Sequence, residues 1–267
     1  NNTACGSFSL RDNTTGTDNV AVGRGAMILI TTGSQNVALG NESLDAATTA
    51  SHNTAIGYRT LSANTSGTPN TAVGSDALRE NTTGTNNVAV GSGALLNNTT
   101  GDYNTAVGRS AGLSITTANN LTAVGYLAAT NTTGASVTAI GYKALETNTS
   151  GAENVAVGTG ALVANTTASN NTAVGKDSLN ANTTGQQNTA VGSFALDANT
   201  TANNCTAVGY GSLGANTTGA ANTSFGHNSM AINTTGTQNV ALGMQTLFHN
   251  NANDNVAVGH YALESNT

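Results

Sequence analysis

The sequence predicts an all-β protein, a parallel β-solenoid of about sixteen coils of seventeen residues each. Three observations lead there. A glycine-ended segment, "NTAVG" at 70–74 and "NVAVG" at 87–91, returns at a fixed interval along the whole chain. Apolar residues hold constant places within that interval, and charged residues hold others. The recurring segments are rich in Thr, Val and Gly, a composition that disfavours helix and suits short strands joined by turns. Self-similarity at a fixed short period marks a repeat architecture.

The glycine of A-V-G counts the coils. It falls at Gly6, Gly23, Gly40, Gly57, Gly74, Gly91, Gly108, Gly125, Gly141, Gly158, Gly175, Gly192, Gly209, Gly226, Gly243 and Gly259. The step is seventeen, except for sixteen at Gly125 to Gly141 and at Gly243 to Gly259. Let the Asn of N-T-A-V-G be column 1 and the Gly column 5. Column 4 is apolar (Val22, Leu39, Ile56, Val73), with Cys5 and Phe225 as variants. Column 9 is Leu or Met, apart from Gly112 and Ala129. Column 2 exchanges Thr and Val, which are similar in shape. Side chains alternate along a strand, so columns 2 and 4 share a face. That face is expected to be the core side. The charged residues fall in columns 6, 7, 10, 11, 16 and 17, as at Arg24, Asp76, Arg79, Glu80, Asp102 and Glu153, and are expected to face water. Deletions are tolerated at turns. The two short copies are expected to lose a residue near columns 10–11 after Ala129 and between columns 13 and 17 after Asn250. Stacked at about 4.8 Å per coil, sixteen coils would extend roughly 75 Å.

Column 12 is Asn in most copies and opens N-T-T or N-T-S, at Asn13, Asn64, Asn81, Asn98, Asn131, Asn148, Asn165, Asn182, Asn199, Asn216 and Asn233. Each is a formal N-glycosylation sequon. The same column also holds Ile30, Ala47 and Ile115, and column 1, usually Asn, holds Leu121, Val137 and Cys205. A place that exchanges Asn for an aliphatic residue is turned inward, with no room for a glycan. Two asparagine ladders are expected instead, with stacked amides bonding from coil to coil as in cross-β assemblies.

Charged residues are 7% of the chain, against about 25% in typical domains. The net charge is −6, and the seven Lys and Arg are scattered. A nucleic-acid or anionic-membrane partner needs a basic patch, and the sequence has none. No apolar run approaches the roughly 20 residues of a membrane helix, so no membrane insertion is expected. Cys5 and Cys205 lie twelve coils apart, so they are not expected to pair, because a disulfide needs Cα atoms within about 7 Å. Both are expected to act as small core residues. "GRSAG" at 108–112 matches a nucleophile elbow and "GYGSLG" at 209–214 a dinucleotide loop. Neither joins a hydrophobic strand to a long helix, as those mechanisms require. The four His lack partners at metal-ligand spacing, and no two acids recur as the carboxylate pair that glycoside hydrolysis needs. The expectation is therefore a non-enzyme with no catalytic residue, cofactor or metal. The chain starts and stops inside a repeat, and reads as a single repetitive segment, 1–267, of a longer fibre protein.

Columns 6 and 7 vary most. Column 6 carries Tyr58, Tyr126, Tyr142 and Tyr210, candidate surface contacts able to stack on a sugar ring. Column 3 is Ala in every copy but one, where it is Ser224. Lying between columns 2 and 4, it would point away from the core, yet it never carries a charge. Ala72, Ala89, Ala106, Ala173 and Ala190 are therefore candidates for the interface of a homo-oligomer, most simply a parallel homotrimer. Subunit packing would supplement a thin core.

The "NTAVG/NVAVG" segment, repeated with Leu and Gly at fixed offsets, resembles the head repeats of trimeric autotransporter adhesins, which form a trimeric parallel β-roll. It is also similar to the N-T-A-V-G-x-x-A-L repeats of bacteriophage tail fibres and related surface fibres. The resemblance covers essentially the whole chain. The N-T-T-G segment departs from it by making the coil longer than in the adhesin heads, and no stalk coiled coil, membrane anchor or chaperone domain is visible. The resemblance implies adhesion: an extracellular fibre segment on a virion or cell surface, partnered by itself and by a host-surface glycan or protein receptor. An alternative is ice binding by the Thr columns 13 and 14, as at Thr31-Thr32 and Thr82-Thr83. Adjacent strand residues point to opposite faces, which makes T-T a poor flat array.

Overall fold

A computed structural model describes residues 1–266, and among them there is no helix. The chain divides into two compact units, Asn1–Ser136 and Val137–Thr267. The first carries β1 (Thr3–Cys5), β2 (Val20–Val22), β3 (Val37–Leu39), β4 (Thr54–Ile56), β5 (Asn70–Val73), β6 (Asn87–Val90), β7 (Thr105–Val107) and β8 (Thr122–Val124). Each strand pairs in parallel with the next in the chain, column on column: Thr3 beside Val20, Ala72 beside Ala89, Val107 beside Val124. The second unit repeats the plan with β9 (Thr138–Ile140), β10 (Val155–Val157), β11 (Thr172–Val174), β12 (Thr189–Val191), β13 (Thr206–Val208), β14 (Thr223–Phe225), β15 (Val240–Leu242) and β17 (Val256–Val258). There β16 (His249–Asn250) and β18 (Ser265–Asn266) add a small parallel pair. Each unit is a β-solenoid with a coil of about seventeen residues.

Strands occupy only columns 2 to 4, but coil-to-coil hydrogen bonds continue around the circuit. In the coil that starts at Asn87, Val88 N–H donates to the Asn104 carbonyl at 2.8 Å and Gly91 N–H to the Val73 carbonyl at 2.7 Å. Gly93 N–H reaches Ser75 O, Leu95 N–H reaches Ala111 O, and Thr99 N–H reaches Thr116 O, at 2.8–3.0 Å. Aiming these groups up and down the axis requires columns 7, 9 and 17 to be left-handed. Asp76, Leu78 and Asn86 have φ of 57, 49 and 57°. Left-handed non-glycine residues cost roughly 1 kcal/mol each, and the inter-coil bonds hold them there. Column 5 is stricter. At Gly91 φ is +132°, and a Cβ would lie 2.6 Å from the Gly108 carbonyl of the next coil. Only glycine satisfies both conditions, which explains its presence in all sixteen copies.

The core is the reverse of the face expected. In the coil 70–86 the buried residues are Asn70, Ala72, Ala77, Leu78, Asn81 and Gly84, in columns 1, 3, 8, 9, 12 and 15, while Thr71 is exposed and Val73 half-buried. Columns 2 and 4 face outward. Column 1 sets the parity. Its Asn must point inward to bond across the coil, and strand alternation then buries column 3 and exposes columns 2 and 4. Cys5, in column 4, is accordingly exposed, whereas Cys205 takes a buried column 1 place, and both are free thiols.

Both asparagine ladders are present; amide-to-amide bonds occur in both, as from Asn87 Nδ2 to Asn70 Oδ1 at 3.1 Å in column 1, and column 1 adds a backbone bond. In column 1 each Oδ1 accepts the backbone N–H of the next Asn: Asn70 N to Asn53, Asn87 N to Asn70 and Asn104 N to Asn87, at 2.9–3.0 Å. In column 12 the amides bond to each other: Asn81 Nδ2 to Asn64 Oδ1 at 2.9 Å and Asn98 Nδ2 to Asn81 Oδ1 at 2.8 Å. The second unit continues this from Asn148 through Asn233. The two columns meet at column 15, where the Gly84 carbonyl accepts Asn70 Nδ2 at 2.9 Å and Asn81 Nδ2 at 3.1 Å. Column 1 departs to Leu121 where column 9 is Gly112. A Cβ on Gly112 would lie 2.8 Å from Leu121 Cδ2, so the leucine fills the space that the glycine leaves.

One deletion lies elsewhere than expected. In the coil that starts at Leu121, Thr132 is the buried residue and its N–H donates to Ala129 O, the bond that column 12 makes in other coils, while Asn131 is exposed. The missing residue is therefore in columns 13–14, where the loop bends, and Asn131 belongs to column 11. The other deletion, after Asn250, falls in the same loop. Asn131 is thus a sequon outside the ladder, facing solvent.

Asn98→Asp should destabilise the fold by about 3 kcal/mol or more, because a buried carboxylate would face the Asn81 Oδ1 and Gly101 O that Nδ2 now serves. Ile115→Asn should stay within about 1 kcal/mol of the parent: it loses apolar burial but supplies a donor to Asn98 Oδ1, which is buried and unpaired. Gly91→Ala should cost about 2–3 kcal/mol through strain alone. Urea denaturation of the three variants checks the ranking.

Candidate functional site

Besides the outward, variable columns 16 and 17, which carry Asp18, His52, Tyr103 and Glu153, the coil presents three kinds of surface. The first is the outer face of the sheet, columns 2 and 4. Column 2 offers Thr or Val and column 4 Val, Ile or Leu apart from Cys5 and Phe225, and no charged side chain interrupts either column. Its column 4 residues are half-buried to exposed: Val22, Val90, Val107, Val191 and Leu242 are 37–38% exposed, and Val73, Val124 and Val157 are half-buried. β-Branched side chains are stiff about χ1, so this face is regular in shape as well as composition.

The second surface is the edge formed by columns 6, 7, 10 and 11. Tyr58, Tyr126, Tyr142 and Tyr210 lie there, 42–52% exposed, as a surface role requires. Each ring already has a neighbour. The Arg59 and Arg109 guanidinium carbons lie 5.9 Å from the Tyr58 and Tyr126 ring centroids, and Lys143 Nζ lies 5.7 Å from that of Tyr142. Tyr210 stacks on His227 with centroids 5.4 Å apart and planes 13° from parallel, and meets Phe194 edge-on. Stacking occupies one face of Tyr210, so it is not an open platform for a sugar. Ion pairs such as Arg24–Glu42 and Lys143–Glu146 lie on the same edge. Exposed pairs of this kind stabilise by at most about 1 kcal/mol. Partial burial pushes the carboxyls of Asp45 and Asp197 above the usual range. Among the described residues no group of three or more His, Cys, Asp and Glu could hold a metal ion.

The third surface is the threonine loop. Column 13 hydroxyls are committed to the coil stack: Thr82 Oγ1 donates to Thr99 O and Thr99 Oγ1 to Thr116 O, both at 3.0 Å, and Thr166, Thr183 and Thr200 repeat the bond. The receiving carbonyl also takes backbone N–H groups from columns 13 and 14 of the preceding coil. Column 14 alone, with Thr83 and Thr100, stays fully outward. The pair of columns therefore does not form one array, because half of its hydroxyls are turned to the backbone.

The alanines of column 3 do not form a surface. Ala72, Ala89, Ala106, Ala173 and Ala190 have no exposed area in the single chain. They pack inside their own coils, and their small size answers to the narrow interior, so they cannot form the expected subunit interface. Column 8 passed unnoticed in the sequence. It alternates Ala with Ser43, Thr60, Ser178, Ser212, Ser229 and Thr246, all buried. Ser43 and Ser178 donate to the column 5 carbonyl of their own coil, and Thr60 to that of the next. The available signal was its restriction to three small residue types. Searches against protein-family models and curated proteins returned no match.

Thr82→Val should lower stability by about 1 kcal/mol through loss of the axial hydroxyl bond, whereas Thr83→Val should leave it unchanged. Thermal unfolding of the two variants separates the columns.

Proposed function

We propose that the chain is a structural and adhesive segment of a surface fibre, holding or presenting a contact surface outside a virion or cell. One observation carries this reading: identical coils are locked in register by backbone bonds and asparagine ladders, and chemical variety is confined to their outer edges. Such a scaffold lengthens by repetition and sets several aromatic side chains along one edge, so weak individual contacts add through multivalency. The exposed Tyr58, Tyr126, Tyr142 and Tyr210, with the cations and rings beside them, suit contacts of that weak, repeated kind. The resemblance to adhesin heads and tail-fibre repeats points the same way.

An antibody raised against the coil should label the outside of intact source particles or cells in immunogold electron microscopy. Label that appears only after permeabilisation overturns the reading.

A further inference from the structure

The strongest unexplained feature is the outer face of columns 2 and 4. The outward columns 6, 7, 10, 11, 16 and 17 carry Asp, Glu, Lys or Arg in one copy or another, and the exposed column 14 carries the polar Thr or Ser. Column 4 is as outward as those, yet apart from Cys5 every copy is Val, Ile, Leu or Phe. Nothing inside the coil calls for this, because the core is filled by other columns. Monomers rarely leave an apolar strip of such length open to water. We infer that this face is where a second copy of the same chain docks.

Three arguments select a second copy over other partners. The first is register. Successive side chains on the face repeat with the strand spacing, about 4.8 Å. A partner with any other repeat falls out of step within a few coils, whereas a second copy has the same repeat by construction and matches at every coil. The second is charge. The seven cationic and thirteen acidic side chains all lie in other columns, so two copies can bring these faces together without burying an ion. The third is area. Eight strands at that spacing, each three residues wide, give a footprint of roughly 380 Å² in each unit, or roughly 750 Å² for the two faces of one chain. A specific interface buries about 800 Å² on each partner. Column 2 suits the same role, because Thr and Val share a shape and leave the face flat whichever is present. This inference does not depend on the surface-fibre reading, which concerns where the protein acts.

Sedimentation velocity of the whole chain at tens of micromolar provides the test. The parent should sediment as an oligomer. The triple variant Val73→Lys, Val90→Lys, Val107→Lys should sediment as a monomer with an unchanged circular dichroism spectrum. The column 14 control Thr83→Lys, Thr100→Lys, Thr117→Lys should remain assembled. If the lysine variant fails to fold, Val90→Thr with Val107→Thr keeps the branched shape and should raise the dissociation constant at least tenfold. A monomeric parent overturns the inference, and one that also shows thermal hysteresis assigns the face to ice instead. Assembly that survives the column 4 changes overturns it too.

Discussion

The inward asparagine of column 1 is the interaction on which the coil depends. Its Oδ1 accepts the backbone N–H of the asparagine one coil along, and its Nδ2 crosses the interior to the column 15 carbonyl of its own coil. One side chain thus ties a coil to its neighbour and closes it on itself. The direction of that side chain also sets the parity of the strand that follows. With column 1 inside, column 3 must be inside, and the apolar columns 2 and 4 must be outside.

A polar interior of this kind is stable only when nearly every group has a partner. Most coils contribute one large apolar side chain to the core, the column 9 residue, such as Leu78 or Leu95. Around it lie two asparagines and several small residues, so hydrogen bonding carries a larger share of the structure than in an ordinary domain. The exceptions show the cost. Asn13 and Asn98 each precede a coil in which column 12 is Ile, and in both the Oδ1 is buried without a partner. The backbone follows the same economy of space. Left-handed columns 7, 9 and 17 aim peptide groups along the axis, and column 5 lets adjacent coils approach more closely than any side chain allows.

A core satisfied within the stack of coils leaves much of the outer surface free of structural duties, and its faces have diverged. Variation has gathered on the outward columns 6, 7, 10, 11, 16 and 17, and on the edge of columns 6, 7, 10 and 11 Arg109 meets Tyr126 and Tyr210 stacks on His227 across coils. The threonine loop is tied to the backbone through column 13. The sheet face has stayed apolar and uniform although the core does not require it, so its cause lies outside the single chain.

The seventeen-residue period, the strand at N-T-A-V-G and the inward turn of columns 1 and 12 were properties of the sequence alone. Repetition reports them directly: a place that admits both Asn and Ile in different copies is buried whatever the fold around it. The inconsistency over the core face was legible too, since an inward column 1 and an inward column 2 cannot both hold in a strand. Column 3 was misread because an uncharged alanine column looks the same beneath a partner chain as inside a narrow coil. Only the tertiary structure decided between them, by showing that Nδ2 of column 1 has its acceptor across the coil. The place of the deletion at Thr132 needed the structure for the same reason. In "TNTTG" either the Asn or the Thr after it satisfies the pattern, and only the turn geometry selects which side chain enters the core.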